Sequence, residues 1–158
     1  MLKALVFDWG NTIMRDFNLP GPMSEWEKVA WVPGAKAALE DLSKRYCCII
    51  ATSANHSDTN EMKLALDRVG AVQYFHQFYS QKELGFKKPD IRFFEEVIKN
   101  SGFAANEIAM IGDLYEKDII GAKAAGLTTV LLNESGIKGP FPLADYEINE
   151  MNLLLTLF

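Results

Sequence analysis

Acidic side chains stand directly after two apolar runs of the sequence, where they could bind a metal ion. The run "ALVF" is followed by Asp8, and the run "IAMIG" is followed by Asp113, with Asp118 five residues further along. Carboxylates that gather at one place repel one another unless they share a cation, and Mg²⁺ prefers oxygen ligands. The three acids therefore predict a magnesium site if the fold brings them together.

Hydroxyl and ammonium groups lie at similar positions elsewhere in the chain. Thr52 and Ser53 follow the apolar run "CCIIA", and Lys88 precedes Pro89 at the start of a helix-like segment. Beside a metal ion, a lysine and a hydroxyl can cradle a phosphoryl group. Each residue also has an ordinary structural interpretation: the acids as helix caps, the hydroxyls as a turn and the lysine as a solvated surface residue.

The elements that must position these residues alternate along the chain. Five apolar runs predict buried strands, namely "LKALVF", "YCCIIA", "QFYS", "EIAMIG" and "LTTVLL". Apolar residues at helical spacing predict helices between them, and the tail "INEMNLLLTLF" predicts a docking helix. This order indicates an α/β fold, a Rossmann-like three-layer sandwich with a central, mostly parallel five-stranded sheet. Ligands of such sheets bind beyond the carboxyl ends of the strands, where the candidate residues stand.

The spacing along the chain leaves no room for a separate cap domain. Between Thr12 and Thr52 lie 39 residues, and between Thr52 and Lys88 lie 35. A helix, a strand and their loops use much of each interval, so about 20 residues remain in the first, fewer than the roughly 40 of an independent core. We therefore predict one domain over residues 1–158, with a flap at about residues 13–32 and a site open to solvent.

Composition and charge narrow the classes of partner. The formal net charge of −5 disfavours a nucleic-acid binder, which usually carries a basic surface. No apolar run is long enough to cross a bilayer and no secretion signal is visible, so we expect no membrane partner and a cytoplasmic location. Cys47 and Cys48 point to opposite faces of a predicted strand, which favours buried apolar residues over a disulfide or a metal pair. The sequence leaves open whether the protein forms a homo-oligomer.

Four motifs occur in the order that a known family shows. They are "FDWGNT", "IIATS", "GFKKP" and "IGDLYEKD". Each alone is a weak signal, but four in sequence at predicted strand or helix boundaries are a strong one. In these motifs the chain resembles the haloacid dehalogenase superfamily of phosphohydrolases and phosphotransferases over residues 3–132. Within "FKKP", Lys88 is assigned rather than Lys87 because family members place the lysine directly before the proline.

The resemblance implies a role for each motif residue. Asp8 is the nucleophile that attacks phosphorus and forms an aspartyl-phosphate, which water then hydrolyses. Mg²⁺ is held by the Asp8 carboxylate, the backbone carbonyl of Gly10 and Asp113, with Asp118 supporting it directly or through water. The phosphoryl group of a small or bulky phosphorylated substrate is bound by the remaining motif residues: Thr52, Ser53, Lys88 and the backbone N–H groups of Trp9, Gly10 and Asn11.

One position departs from the pattern of the family's phosphatases. They usually carry a second aspartate two residues after the nucleophile, whereas this chain has Gly10, which keeps the carbonyl but supplies no proton. General acid–base catalysis contributes about 10²–10⁴-fold, so we expect a preference for aryl or acyl phosphates, whose leaving groups need little protonation. Asp16 or Glu25 in the flap could swing in as a replacement acid.

The same departure leaves two other functions open. A phosphate- or partner-binding module would keep the cradle without efficient turnover. Cleavage of a carbon–phosphorus or carbon–halogen bond is a further alternative, because "DWGNT" is similar to the "DWAGT"-like loop of phosphonoacetaldehyde hydrolases; the missing cap disfavours it. Trp26 and Trp31 of the flap could line the entrance, although such residues more often anchor a loop. His56 could face a substrate but is more simply a solvated residue at a helix start.

Overall fold

A parallel sheet forms the centre of the computed structural model, which describes residues 1–158. Its strands are β1 (Ala4–Phe7), β2 (Cys47–Thr52), β3 (Gln77–Ser80), β4 (Ile108–Gly112), β5 (Thr128–Leu132) and β6 (Tyr146–Ile148). They lie in the order β3-β2-β1-β4-β5-β6, and every neighbouring pair is parallel. The α/β fold with a parallel central sheet is therefore confirmed.

Helices connect the strands and cover both faces of the sheet. They are α1 (Ala35–Leu42), α2 (Thr59–Arg68), α3 (Gln81–Leu84), α4 (Ile91–Ser101), α5 (Ile120–Ala124) and α6 (Leu154–Leu157). Helix α2 begins at a capping box, in which the Asp58 side chain accepts the N–H of Glu61 and the Glu61 side chain accepts the N–H of Asp58. Helix α4 begins at Asp90, whose carboxylate accepts the N–H of Arg92 at 2.9 Å.

Two hydrophobic clusters, one on each face of the sheet, account for the three layers. Alternate residues of β1 belong to different clusters: Leu5 and Phe7 to the larger, Ala4 and Val6 to the smaller. Helices α1 and α2 contribute to the larger cluster and α4 and α5 to the smaller. The same alternation separates the two cysteines, since Cys48 lies in the larger cluster and Cys47 packs against the smaller. Both thiols are free, and Cys48 is buried as predicted, whereas Cys47 is half-buried.

The C-terminal region corrects the predicted number of strands from five to six. Strand β6 pairs with β5 at the edge of the sheet, and a 3₁₀ turn and the short α6 follow it in place of one longer helix. Only Ile148 of the three residues of β6 is buried. The strand therefore lacks the apolar run from which the central strands could be predicted. The tail nevertheless docks on the core, because Ile148, Met151 and Leu154 all belong to the larger cluster.

Residues 13–32, which we call the flap, connect β1 to the region of α1. The flap contains one 3₁₀ turn, Met23–Glu25, and its two ends are joined where Met14 bridges Trp31. The elements between β1 and β2 are the 3₁₀ turn of the flap and α1, and those between β2 and α4 are α2, a 3₁₀ turn, β3 and α3. None of the helices has the length and apolar character that a membrane span requires.

Candidate active site

The topology brings the predicted site residues to one edge of the sheet. Asp8 directly follows β1, Thr52 ends β2 and Asp113 directly follows β4, and these three strands are neighbours. The chain builds β2 and β3 on one side of β1 and then crosses to β4 on the other side. A crevice forms beyond the carboxyl ends of the strands where the strand order reverses in this way. Asp8 and Asp113 therefore flank the crevice.

Three carboxylates meet at this edge, as predicted. One oxygen from each of Asp8, Asp113 and Asp118 lies within 4.8 Å of the others. A π-helical turn, Tyr115–Ile119, carries Asp118 back over the end of β4, where its Oδ2 accepts the N–H of Leu114 at 3.0 Å. Gly112 makes this approach possible, because a Cβ atom at that position would lie 2.3 Å from the Asp118 Cγ. A side chain at Gly112 would displace the acid.

Lys88 places its ammonium group between two of these acids. Its Nζ donates to Asp8 Oδ1 at 2.7 Å and to Asp118 Oδ1 at 2.8 Å, and only 2% of its side chain is exposed. The backbone N–H of Lys88 donates to the Ser53 hydroxyl at 2.8 Å. Lys87 is exposed, so the geometry favours the lysine that the "FKKP" motif indicated. The Ser53 oxygen thus holds the backbone of Lys88, while its hydroxyl proton has no partner and Ser53 lines the cavity, so its predicted contact with phosphate stays a prediction.

Thr12 is a site residue to which the sequence interpretation assigned no role. This buried hydroxyl lies 3.3 Å from Asp113 Oδ1 and 3.5 Å from Asp8 Oδ2. It links the nucleophile loop to the acid after β4, on the far side of Asp8 from Lys88. The only signal in the sequence is a hydroxyl four residues after Asp8, which local spacing cannot distinguish from a turn residue.

Burial and mutual repulsion raise the pKa values of two acids of the cluster, Asp113 and Asp118. Burial, followed by the charges of Asp8 and Asp118, raises the pKa of Asp113 to about 8. Burial and the charge of Asp8 also raise the pKa of Asp118 to about 6, although Lys88 opposes this shift. Burial alone would lower the pKa of Lys88, but the charges of Asp118 and Asp8 outweigh it and raise that pKa. The site therefore holds more negative charge than one lysine neutralises.

This excess charge predicts a pH-dependent stability for the metal-free protein. The pKa of Asp113 is raised in the folded state from 3.8 to about 8, so between these values the folded protein keeps a proton that the unfolded chain has released. The stability that Asp113 contributes in its protonated form is complete below about pH 4 and is lost as the pH rises to about 8. We expect urea unfolding in EDTA to show lower stability at pH 8 than at pH 5.

The Asp113→Asn variant tests the assignment because asparagine cannot ionise. We expect it to lose much of the stability difference between pH 5 and pH 8. The Asp67→Asn variant is the control, since Asp67 is exposed on α2, and it should behave like the wild type. An Asp113→Asn variant with the same pH dependence as the wild type would contradict the prediction.

The donor set fits the magnesium ion that the sequence predicts. All three side chains offer carboxylate oxygens, which suit Mg²⁺ better than softer metals. The carbonyl oxygen of Gly10 accepts no hydrogen bond from the backbone or from a side chain, so it too is free for an ion. A divalent cation would relieve the repulsion that raises the two aspartate pKa values.

Of the groups predicted to bind phosphate, all except Asn11 border the same crevice. The Thr52 oxygen accepts the N–H of Ala54 at 3.0 Å, which leaves the hydroxyl proton free to donate. The backbone N–H groups of Trp9 and Gly10 have no partner, whereas that of Asn11 donates to the Met14 carbonyl at 2.6 Å. Two of the three predicted backbone donors are therefore available. The Asn11 N–H is already used within the loop.

A cavity of about 650 Å³ opens over these groups. Its floor contains Asp8, Thr52 and Lys88, and the flap forms one wall, which includes Asp16, Met23 and Trp26. His56 and Lys117 also line it. The cavity is large enough for a phosphorylated metabolite, and much of its lining comes from the flap and from residues 54–57, which lie outside the four motifs.

The two flap tryptophans have different positions. Trp26 lines the cavity while its indole N–H donates to the Gly21 carbonyl at 3.1 Å. Trp31 does not reach the cavity; its indole N–H donates to the Val69 carbonyl at 3.0 Å and its ring packs near Tyr74. The expectation that both tryptophans could line the entrance is therefore wrong for Trp31, which anchors the loop.

Comparison with known proteins agrees with this geometry. A family model described as haloacid dehalogenase-like hydrolase matches residues 12–132, which are 121 of the 158 residues. The chain is 36% identical over 110 residues to the ribulose-1,5-bisphosphate 5-phosphatase of Halopiger xanaduensis, covering 69% of this chain and 45% of that protein. It is 37% identical over 68 residues to the glyceraldehyde 3-phosphate phosphatase of Methanothermobacter thermautotrophicus, covering 43% and 30%. The chain thus spans less than half the length of these curated relatives.

Solved structures share the fold over nearly the whole chain. An uncharacterized protein from Listeria monocytogenes superposes with a TM-score of 0.85 at 24% identity, covering 99% of this chain and 98% of that one. YfnB from Bacillus subtilis, solved bound to magnesium, gives a TM-score of 0.82 at 18% identity with the same coverage. The matched family model, the shared fold and the four motifs at one sheet edge lead to a single assignment. The chain belongs to the haloacid dehalogenase-like hydrolase family.

Proposed function

We propose that this protein is a Mg²⁺-dependent phosphohydrolase that acts through an aspartyl-phosphate formed on Asp8. The proposal rests on the groups that surround Asp8. Its carboxylate lies 2.7 Å from the Lys88 ammonium, beside two further acids and at the floor of an open cavity. A carboxylate that is held by a cation and exposed on one side is suited to attack a phosphoryl group.

Each group around Asp8 has a part in the reaction. An Asp8 oxygen attacks phosphorus and the bond from phosphorus to the leaving oxygen breaks, giving an aspartyl-phosphate. Lys88 and the free N–H groups of Trp9 and Gly10 stabilise the negative charge on the phosphoryl oxygens, and the Thr52 hydroxyl donates to one of them. Asp8, Asp113, Asp118 and the Gly10 carbonyl would hold the magnesium ion. When bound, the ion adds positive charge that lets the phosphoryl group approach three acids.

The names of the relatives support a phosphorylated substrate for this protein but do not identify which one. The two proteins compared above are phosphatases by name, and a third relative is the phosphoserine phosphatase of Thermus thermophilus. These names cover a sugar bisphosphate, a triose phosphate and a phosphorylated amino acid. Because the cavity walls come from the flap and neighbouring loops, substrate choice in this protein depends on residues outside the motifs.

An aryl phosphate assay tests the proposal. An aryl phosphate such as p-nitrophenyl phosphate needs little protonation of its leaving group, so the missing side chain at Gly10 does not hinder formation of the phosphoenzyme. We expect turnover in Mg²⁺, loss of turnover in EDTA and its return when Mg²⁺ is restored. We also expect a phosphoenzyme in rapidly quenched samples by intact mass. Metal-dependent binding of the phosphate without turnover would instead indicate a binding module, and the proposal would fail.

A further inference from the structure

We propose that Asp16, a residue of the flap, performs the proton transfers for which position 10 has no side chain. The inference rests on the proposed phosphohydrolase function. It assigns to Asp16 the donation of a proton to the leaving oxygen and the later removal of a proton from water. With Asp16 as the proton donor, the expected substrates include alkyl phosphates, whose alkoxide leaving groups require a proton, as well as aryl and acyl phosphates.

The position of Asp16 beside Gly10 is the first observation. A Cβ atom built at Gly10 would lie 3.5 Å from the Asp16 Cβ and 3.7 Å from its Oδ2. These are ordinary van der Waals distances, so the Asp16 carboxylate occupies the space next to a side chain at position 10. The chain thus places an acid from the flap where the loop itself offers none.

The hydrogen bonds of Asp16 attach it to the nucleophile loop. Its backbone N–H donates to the side-chain oxygen of Asn11 at 3.0 Å, and its Oδ1 accepts the N–H of Asn18 at 2.8 Å. Asn11 adopts a left-handed conformation, with φ of 57°, that asparagine tolerates better than most residues. The Oδ2 atom of Asp16 makes no hydrogen bond, so one oxygen fixes the side chain and the other is free for proton transfer.

The flap is also anchored on the far side of Asp16. The Arg15 side chain makes two hydrogen bonds to Glu134, at 2.8 and 2.7 Å, and the Arg15 N–H donates to the Ala30 carbonyl at 2.9 Å. Met14 bridges both Gly10 and Trp31. These contacts fix the backbone on which Asp16 stands, and Asp16 lines the cavity over Asp8 in this arrangement of the flap.

The cavity distinguishes Asp16 from the other acid that the flap offers. Asp8, Gly10 and Asp16 all line it, whereas Glu25 does not. A proton donor must lie within hydrogen-bond reach of the leaving oxygen, directly or through one water, and so must share a cavity with the nucleophile. Of the two candidates that the sequence left open, the geometry selects Asp16.

Asp16 transfers one proton in each of the two steps of the reaction. In the first, the Asp8 carboxylate forms a bond to phosphorus, the phosphorus–oxygen bond to the alcohol breaks, and protonated Asp16 gives its proton to the departing oxygen. In the second, a water molecule attacks phosphorus while the Asp16 carboxylate takes its proton. The acyl phosphate bond then breaks, which releases inorganic phosphate, restores the Asp8 carboxylate and leaves Asp16 protonated.

The Asp16→Asn variant should affect two substrates differently. With an alkyl phosphate such as glycerol 3-phosphate, we expect kcat/KM to fall by about 10²–10⁴-fold, the usual contribution of general acid–base catalysis. With p-nitrophenyl phosphate, we expect the first-turnover burst of nitrophenol to change less than about tenfold, while release of inorganic phosphate slows and the phosphoenzyme accumulates. Rapid quench with intact-mass detection measures both quantities.

A matched control and a rescue complete the experiment. The Glu25→Gln variant also removes one acid from the flap, but away from the cavity, and should match the wild type on both substrates. Adding Gly10→Asp to the Asp16→Asn variant places a carboxylate next to the vacated position and should restore alkyl phosphate turnover. Melting temperatures of all variants show whether they fold.

The outcomes separate this inference from the proposed function. The role of Asp16 is overturned if the Asp16→Asn variant keeps its turnover of alkyl phosphate. It is also overturned if the variant loses turnover of both substrates equally and accumulates no phosphoenzyme. In either case, activity of the wild type still supports the phosphohydrolase function. A wild type that turns over neither substrate and forms no phosphoenzyme overturns both. A selective loss with alkyl phosphate, together with a trapped phosphoenzyme, supports the assignment.

Discussion

The Asp8→Asn variant is expected to lose turnover of aryl phosphate by roughly 10⁴–10⁶-fold, the range found when single members of a catalytic triad are removed. Asparagine preserves the shape of the side chain but offers no anionic oxygen for attack on phosphorus. No phosphoenzyme should form, because the covalent bond is made to this residue. Steady-state kinetics and intact mass after rapid quench measure both effects.

The same variant should remain folded, which separates loss of chemistry from loss of structure. Asp8 is one of three acids within 4.8 Å of one another, so its replacement removes repulsion from Asp113 and Asp118, while Lys88 keeps its ion pair with Asp118 at 2.8 Å. We expect a melting temperature in EDTA equal to or above that of the wild type. The Asp67→Asn control should keep full activity. An active Asp8→Asn variant would overturn the assignment of the nucleophile.

The Lys88→Met variant is expected to lose both stability and turnover. Methionine fills much the same volume but leaves the buried Asp118 and the partly buried Asp8 without their cation, from which they lie 2.8 and 2.7 Å away. Removing one partner from a buried ion pair typically costs about 3–5 kcal/mol, because the remaining charge is uncompensated. We expect a loss of about that size in the free energy of unfolding, measured by urea denaturation in EDTA at pH 8.

Magnesium should separate the two roles of Lys88. Bound Mg²⁺ would neutralise the acids and restore part of the lost stability. It would not restore turnover, because the phosphoryl oxygens would still lack the lysine. The neighbouring Lys87→Met variant is the control, since Lys87 is exposed, and it should retain stability and activity. A Lys88→Met variant as stable as the wild type in EDTA would contradict the ion-pair interpretation.

The flap gives this protein a different active-site wall from one built by a cap domain. Seven of its residues line the cavity, among them Asp16, Met23 and Trp26, and Asp16 lies beside the nucleophile loop. An insertion of this length cannot form a core of its own, so it packs on the main core instead: Met14, Met23 and Trp26 all belong to the larger cluster. One short segment thus combines the packing, the cavity wall and the proposed proton transfer.

Much of the fold and the outline of the site could be predicted from the sequence. Parallel strands buried on both faces appear as short apolar runs, and their carboxyl ends must share one edge of the sheet. A residue's place after such a run therefore predicts its place in the fold. That is why Asp8, Thr52 and Asp113 were predicted to converge, and why the choice of Lys88 over Lys87 agrees with the geometry.

Edge elements and short turns were harder to predict. Strand β6 has one buried residue and pairs on one side only, so no apolar run marks it. The helix predicted between the strands now labelled β4 and β5 begins as a π-helical turn, Tyr115–Ile119, which the short α5 continues. The buried Asp118 explains this difference, because its carboxylate turns back to the Leu114 N–H and to Lys88.

The sequence by itself determined which chemical groups stand at the ends of the central strands, because that follows from a local pattern of apolar runs and the residues after them. Only the tertiary structure decided which hydroxyl links the acids, what Ser53 holds and which flap acid reaches the cavity. Those answers depend on contacts between residues far apart in the chain, such as Thr12 with Asp113 and Ser53 with Lys88. Such contacts follow from how the layers pack, and no local spacing encodes them.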